Sequence, residues 1–145
     1  MFEIVKAKHI QILDRVDSWE SAVKLAAEPL LKGDYIEPRY VDAIFENTKK
    51  MGPYYVLAHN IAMPHAGVDD GVLKQQVSLL ILKEPIKFSE DGFEVRLVFL
   101  LAATDNHSHL ETLRHLANVF SDDAMIDALI ASNDVQTAAS LLNNH

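Results

Sequence analysis

The chain has 145 residues, 49% hydrophobic and 23% charged, the balance of one globular domain over residues 1–145 and not of a disordered, fibrous or low-complexity chain. Its 13 Lys and Arg against 21 Asp and Glu give a net charge of −8, which argues against a nucleic-acid partner. It has no cysteine, so disulfides, thiolate zinc sites and thiol nucleophiles are excluded, and its longest apolar run, Leu97 to Ala103, falls well short of the roughly 20 residues of a membrane span. The first residues, Met1 to Lys6, lack the basic and apolar regions of a secretory signal, and a cytoplasmic location is expected.

In chain order, Ile10-Gln11-Ile12-Leu13 is a candidate early strand. Asp17 followed by Glu20 resembles a capping box and predicts a helix there. Trp19, Ala22, Val23, Ala26, Ala27 and Leu30 recur at helical spacing, with Pro29 expected to bend or shorten the helix and Gly33 to stop it. A second helix is predicted from Pro38, with Val41, Ile44, Phe45 and Thr48 on one face, ending at Gly52-Pro53. Tyr54 to Ala58, with Ile61 to Met63 after a short interruption, forms the next strand candidate. Val77 to Leu82 and Val95 to Ala102 are almost continuously apolar, the pattern of strands covered on both faces. The remainder reads as three helices. They are capped by Ser108 with Glu111, by Asp122 and by Asp134. The fold class expected is a single α/β domain, with a central, mixed, mostly buried sheet flanked by helices on both faces.

Chemistry must come from histidines, carboxylates, hydroxyls or a bound group. Seven histidines are available: His9, His59, His65, His107, His109, His115 and His145. In Ile61-Ala62-Met63-Pro64-His65-Ala66-Gly67 an apolar strand runs into a proline, which cannot continue a central ladder. His65 then follows, with two small residues that leave space beside its ring. In Thr104-Asp105-Asn106-His107-Ser108-His109 a buried strand gives way to a helix opening, where free N–H groups suit a phosphate. His107, His109 and His115 have poor spacing for a zinc site, because same-face helical ligands stand three or four residues apart, and no metal is expected. No G-x-S-x-G elbow, P-loop or dinucleotide fingerprint is present.

Taken together, Gly52-Pro53-Tyr54-Tyr55-Val56-Leu57-Ala58, Ile61-Ala62-Met63-Pro64-His65-Ala66 and Ser108-His109-Leu110 with Leu113 and Leu116 resemble a known family. They are similar to enzyme IIA domains of the bacterial sugar phosphotransferase system, mannitol/fructose type, and most like its ascorbate branch. The resemblance covers essentially the whole chain, including Tyr35-Ile36-Glu37-Pro38 to Tyr40-Val41. It implies that His65 is phosphorylated by the phosphohistidine of the carrier HPr and passes the group to a cysteine of a cognate enzyme IIB. The membrane enzyme IIC would couple this to uptake of ascorbate or a related sugar. It also implies that His109 is the second active-site histidine, with Ser108 and Asn47 supporting the phosphate. No cofactor is expected beyond the phosphoryl group carried covalently on His65. A homodimer is left open.

Two departures from the family pattern stand out. The mannitol-like branch has an arginine where this chain has Asn47, with Lys49 and Lys50 nearby, and proline and glycine where it has His59-Asn60. Ile61, Met63, Ala66 and Val68 are candidates for an apolar docking collar, unless alternate ones face the core. Two other functional classes compete: a regulatory module that senses phosphorylation, and a histidine-based metal-dependent hydrolase.

Overall fold

The computed structural model describes residues 3–105 and 110–145. A 3-10 turn, Ala7–His9, leads into β1, Ile10–Leu13. Two helices follow, α1 (Trp19–Lys32) and α2 (Pro38–Met51). Four strands come next: β2 (Val56–Ala58), β3 (Asn60–Ala62), β4 (Gln76–Lys87) and β5 (Glu94–Ala102). Helices α3 (Leu110–Phe120), α4 (Asp123–Ala131) and α5 (Val135–Asn143) complete the described chain. The sheet order is β1-β4-β5-β3-β2, with β1 parallel to β4, β3 parallel to β5, and the β4–β5 and β2–β3 pairs antiparallel. This is the mixed α/β sheet expected from the sequence.

Strand alternation sorts the core into two layers. Leu80, Leu82, Val98, Leu100 and Ala102 face α1 and α2, while Val77, Leu79, Ile81, Leu97, Phe99 and Leu101 face α3, α4 and α5. Both faces are therefore covered, as the unbroken apolar runs required. The α1 face is built from small residues, Ala22, Ala26 and Ala27, which bring its backbone close enough for buried Ser78 to donate to the Ala26 carbonyl.

The caps at Asp122 and Asp134 form as read: their carboxylates accept from the N–H groups of Met125 and Thr137. The first cap shifts by one residue. Ser18, not Asp17, accepts from the Ser21 N–H at 3.1 Å. Pro29 does not shorten α1, which runs on to Lys32. Lacking an N–H, it leaves the Leu25 carbonyl one turn back without its helical donor, and the Gln11 carboxamide of β1 donates there instead, at 2.5 Å.

Residues 54–63 correct a second expectation. They form two antiparallel strands and not one interrupted strand. The reversal falls at Asn60, whose φ of +72° lies in the left-handed region. Asparagine tolerates that region better than most residues, and Arg96 Nη1 donates to its side-chain oxygen at 3.1 Å. Asn60 thus takes the conformation that a glycine would otherwise supply.

Candidate functional site

His65 sits just beyond the C-terminal end of β3, where the chain leaves the sheet. The parallel neighbour β5 ends at the same place, and its Leu101 N–H donates to the Pro64 carbonyl at 3.1 Å. This is the position at which α/β sheets usually place their binding sites. A cleft of about 250 Å³ opens there, lined by Tyr40, His65, Ala66, Gly67, Val68, Leu101 and Ala103. A larger hollow of about 490 Å³ on α4 and α5 shares no residue with it and has no titratable side chain in its lining.

The imidazole is half-buried, and its Nδ1 lies 2.8 Å from the Met63 carbonyl oxygen. A carbonyl only accepts, so Nδ1 carries the proton and donates. The neutral ring therefore holds its lone pair on Nε2. The pairing fixes both tautomer and ring orientation, as a histidine that works through one nitrogen requires.

The peptide that follows His65 is held from two sides. The Tyr54 hydroxyl donates to the His65 carbonyl, and the Tyr54 ring meets the imidazole edge-on, centroids 5.4 Å apart and planes at 87°. The Ala66 N–H donates to the Tyr40 hydroxyl at 3.0 Å, and that hydroxyl donates in turn to the Leu101 carbonyl at 2.6 Å. Burial pushes the Tyr40 phenol up to about 12 and raises Tyr54 as well, so both remain neutral donors at physiological pH. The next turn closes when the Gly67 N–H donates to Asp70 Oδ2 at 2.7 Å. A side chain at Gly67 would start 2.8 Å from that oxygen.

Among the residues expected from the sequence, His65 lies in the cleft, and Asn47 lies on α2, the helix that also supplies Tyr40 to the cleft wall. Ser108 and His109, with the Ser108–Glu111 cap and His107, lie outside the described residues. The chain that leads to them leaves β5 through Ala103, which lines the His65 cleft. His59 is exposed in the β2–β3 turn against Phe93, at the opposite end of β3 from His65. His115 is engaged with the Leu142 carbonyl, 2.9 Å from Nε2. Of the apolar collar, Ile61 is buried in the core, whereas Met63, Ala66 and Val68 are partly exposed.

Tyr40 and Tyr54 were missed as site residues. Tyr40 lies on an apolar helix face and reads as core, and only its phenol, one helix away from the strand ends it joins, has a polar task. The adjacent pair Tyr54-Tyr55 divides its work: Tyr55 is buried and bonds Thr48 at 2.9 Å, and Tyr54 turns to His65.

A family model described as "Phosphoenolpyruvate-dependent sugar phosphotransferase system, EIIA 2" matches residues 3–145. The chain is 35% identical over 136 residues to the "Ascorbate-specific PTS system EIIA component" of Salmonella choleraesuis, covering 92% of this chain and 88% of that one. Among solved structures it resembles a putative PTS IIA (PtxA) from Streptococcus mutans, with TM-score 0.86 and 32% identity over 95% of this chain and 88% of that one. It also resembles enzyme IIAMTL in its complex with phosphorylated enzyme IIBMTL from Escherichia coli. There the TM-score is 0.82 and the identity 31%, over 97% of this chain and 98% of that one.

Proposed function

We propose that this chain, which belongs to the EIIA 2 family of the phosphoenolpyruvate-dependent sugar phosphotransferase system, carries its phosphoryl group on Nε2 of His65. The family's activity is phosphotransfer through a phosphohistidine intermediate. The observation that carries the assignment is the 2.8 Å contact from Nδ1 to the Met63 carbonyl, which leaves Nε2 as the nucleophilic nitrogen of a ring on a cleft wall.

The donor is phospho-HPr. The Nε2 lone pair attacks phosphorus, the new P–N bond forms, and the P–N bond of the donor histidine breaks with its electron pair returning to HPr. In the second transfer a cysteine thiolate of the cognate enzyme IIB attacks the same phosphorus. A P–S bond forms and the electron pair of the broken bond returns to Nε2. Nδ1 keeps its proton throughout, donated to the Met63 carbonyl, and that oxygen faces the positive charge the ring acquires while phosphorus is attached. Such transfers depend on positioning and charge stabilisation more than on covalent help from the protein. His109 and Ser108 serve as donors to the phosphoryl oxygens, and Asn47 serves the same site from α2. No cofactor takes part beyond the group carried on His65.

The name of the Salmonella relative supports ascorbate or a related sugar as the cargo, with a membrane enzyme IIC as the last partner. The relay would run in the cytoplasm. A net charge of −8 favours steering toward a basic carrier, and the encounters are expected to be short-lived.

Incubation with phosphoenolpyruvate, enzyme I and HPr tests the assignment. Wild type should take up an acid-labile label that chases onto enzyme IIB, and His65→Ala should take up none. A His65→Ala variant that is still labelled would overturn it. A label that never leaves for any enzyme IIB would favour the regulatory reading instead.

A further inference from the structure

A carrier must release its phosphoryl group as readily as it accepts it, so the charges around His65 matter as well as the geometry. Loading adds about one net negative charge to the cleft, because the ring turns positive while the phosphoryl group brings close to two negative charges. A carboxylate stands close to this event. Asp70 Oδ2 accepts from the Gly67 N–H at 2.7 Å, and the Asp70 N–H donates back to the Gly67 carbonyl at 3.0 Å. Gly67 lines the cleft together with His65. Bond lengths from His65 through Ala66 to the Gly67 nitrogen therefore place that carboxylate oxygen within about 10 Å of the His65 Cα.

The charge is not cancelled locally. Asp70 forms no ion pair among the described residues. The guanidinium of Arg39 donates instead to the Asp69 carbonyl at 3.2 Å and pairs with Glu37 at 3.4 Å. The Asp70 side chain is partly buried, so salt screens it less than a free surface charge. Burial does most to raise the Tyr40 and Tyr54 phenols, and the Asp70 charge raises both further. Those two hydroxyls bond the His65–Ala66 peptide.

We propose that Asp70 is an electrostatic tuning residue, whose carboxylate destabilises phosphorylated His65 and so drives the phosphoryl group onward. This inference rests on His65 being the phosphoryl carrier. The hydrogen bond to Gly67 fixes where the charge sits, and glycine lets the acid close on the backbone, since a Cβ there would start 2.8 Å from Asp70 Oδ2. A neutral acceptor would close the same turn, so the turn itself does not call for the charge. The factor that opposes loading from HPr favours unloading to enzyme IIB equally, and the relay as a whole keeps its free energy. One unit charge acting on another at this range, in an effective dielectric between those of a protein surface and water, shifts an equilibrium by roughly three- to fivefold.

The test is the equilibrium constant of phosphoryl transfer between HPr and this protein, read from the distribution of label over the two. Asp70→Asn keeps an acceptor for the Gly67 N–H and removes only the charge. It should move the equilibrium toward the phosphorylated protein by roughly three- to fivefold at low salt, and the shift should shrink toward 1 M salt. Asp70→Glu, which keeps the charge, should stay near wild type. Asp91 is exposed in the β4–β5 turn, at the end of β5 away from the cleft, and Asp91→Asn should leave the constant unchanged. The proposal is overturned by an unchanged constant in Asp70→Asn, by a shift that salt does not reduce, or by an equal shift in Asp70→Glu or Asp91→Asn. A wild type that takes no label would bring down the His65 assignment itself, and this inference with it. A labelled wild type with the same constant as Asp70→Asn would bring down this inference alone.

Discussion

The hydroxyls of Tyr40 and Tyr54 hold the two ends of one peptide bond, the one joining His65 to Ala66: Tyr54 donates to its carbonyl and Tyr40 accepts from its N–H. The two phenols reach that peptide from different places, one on α2 and the other from the segment that follows it. The plane of this peptide sets the backbone on which the imidazole turns. Helix α2 therefore helps to orient the reactive ring through the Tyr40 hydroxyl.

Tyr40→Phe removes the hydroxyl from both of its partners and leaves the Leu101 carbonyl and the Ala66 N–H without it. Stability should fall by about 1–3 kcal/mol, read from urea unfolding midpoints, with slower labelling of His65. A loss below about 0.5 kcal/mol would show that neither group depends on that hydroxyl.

His109→Ala should still accept phosphate from phospho-HPr but pass it on poorly. Removal of a single preorganised donor to a developing anion typically slows a step by roughly 100-fold or more, so chase kinetics onto enzyme IIB give the measurement. Onward transfer at the wild-type rate would remove His109 from the site.

His9 is buried against Tyr35, and its Nδ1 has no hydrogen-bond partner among the described residues. Its pKa is held below the usual histidine value, first by burial and then by Lys8 and Lys6, with Glu3 opposing. A base with a lowered pKa in the folded state takes up its proton more readily when unfolded. Its neutral form therefore costs nothing above the unfolded value of 6.5. Stability falls as pH drops below 6.5, and levels off once the folded-state pKa is passed. Melting curves should show wild type losing more stability than His9→Leu over that interval. Parallel curves would contradict this.

Asn60→Ala forces an alanine into φ +72° and removes the Arg96 contact. It should cost about 1–2 kcal/mol, whereas Asn60→Gly, which keeps the conformation, should cost clearly less. Equal losses in the two variants would mean that the turn does not depend on that backbone geometry.

The sequence carried the outline of the fold because its signals were local: the proline opening α2, the aspartates opening α4 and α5, and the unbroken apolar runs of β4 and β5. It was misleading where two local signals compete. Asp17 and Ser18 are both good caps, and only the helix phase selects Ser18. Asn60 does not announce that it will take a left-handed φ. Strand β4 runs past Leu82 to Lys87 even though it contains Pro85, because its pairing with β5 skips from Ile81 to Ile86, so no ladder bond is required of the proline. At the site, His65 was legible from the proline before it and the small residues after it. Tyr40 and Tyr54 were not, since a phenol's partner lies across the fold and leaves no spacing to read.

The most direct test is nitrogen-15 spectroscopy of the histidine rings before and after loading with phospho-HPr. Phosphorus–nitrogen coupling should appear at Nε2 of His65, with Nδ1 of the same ring protonated in both states. Coupling at Nδ1, or at any other histidine, would contradict the account.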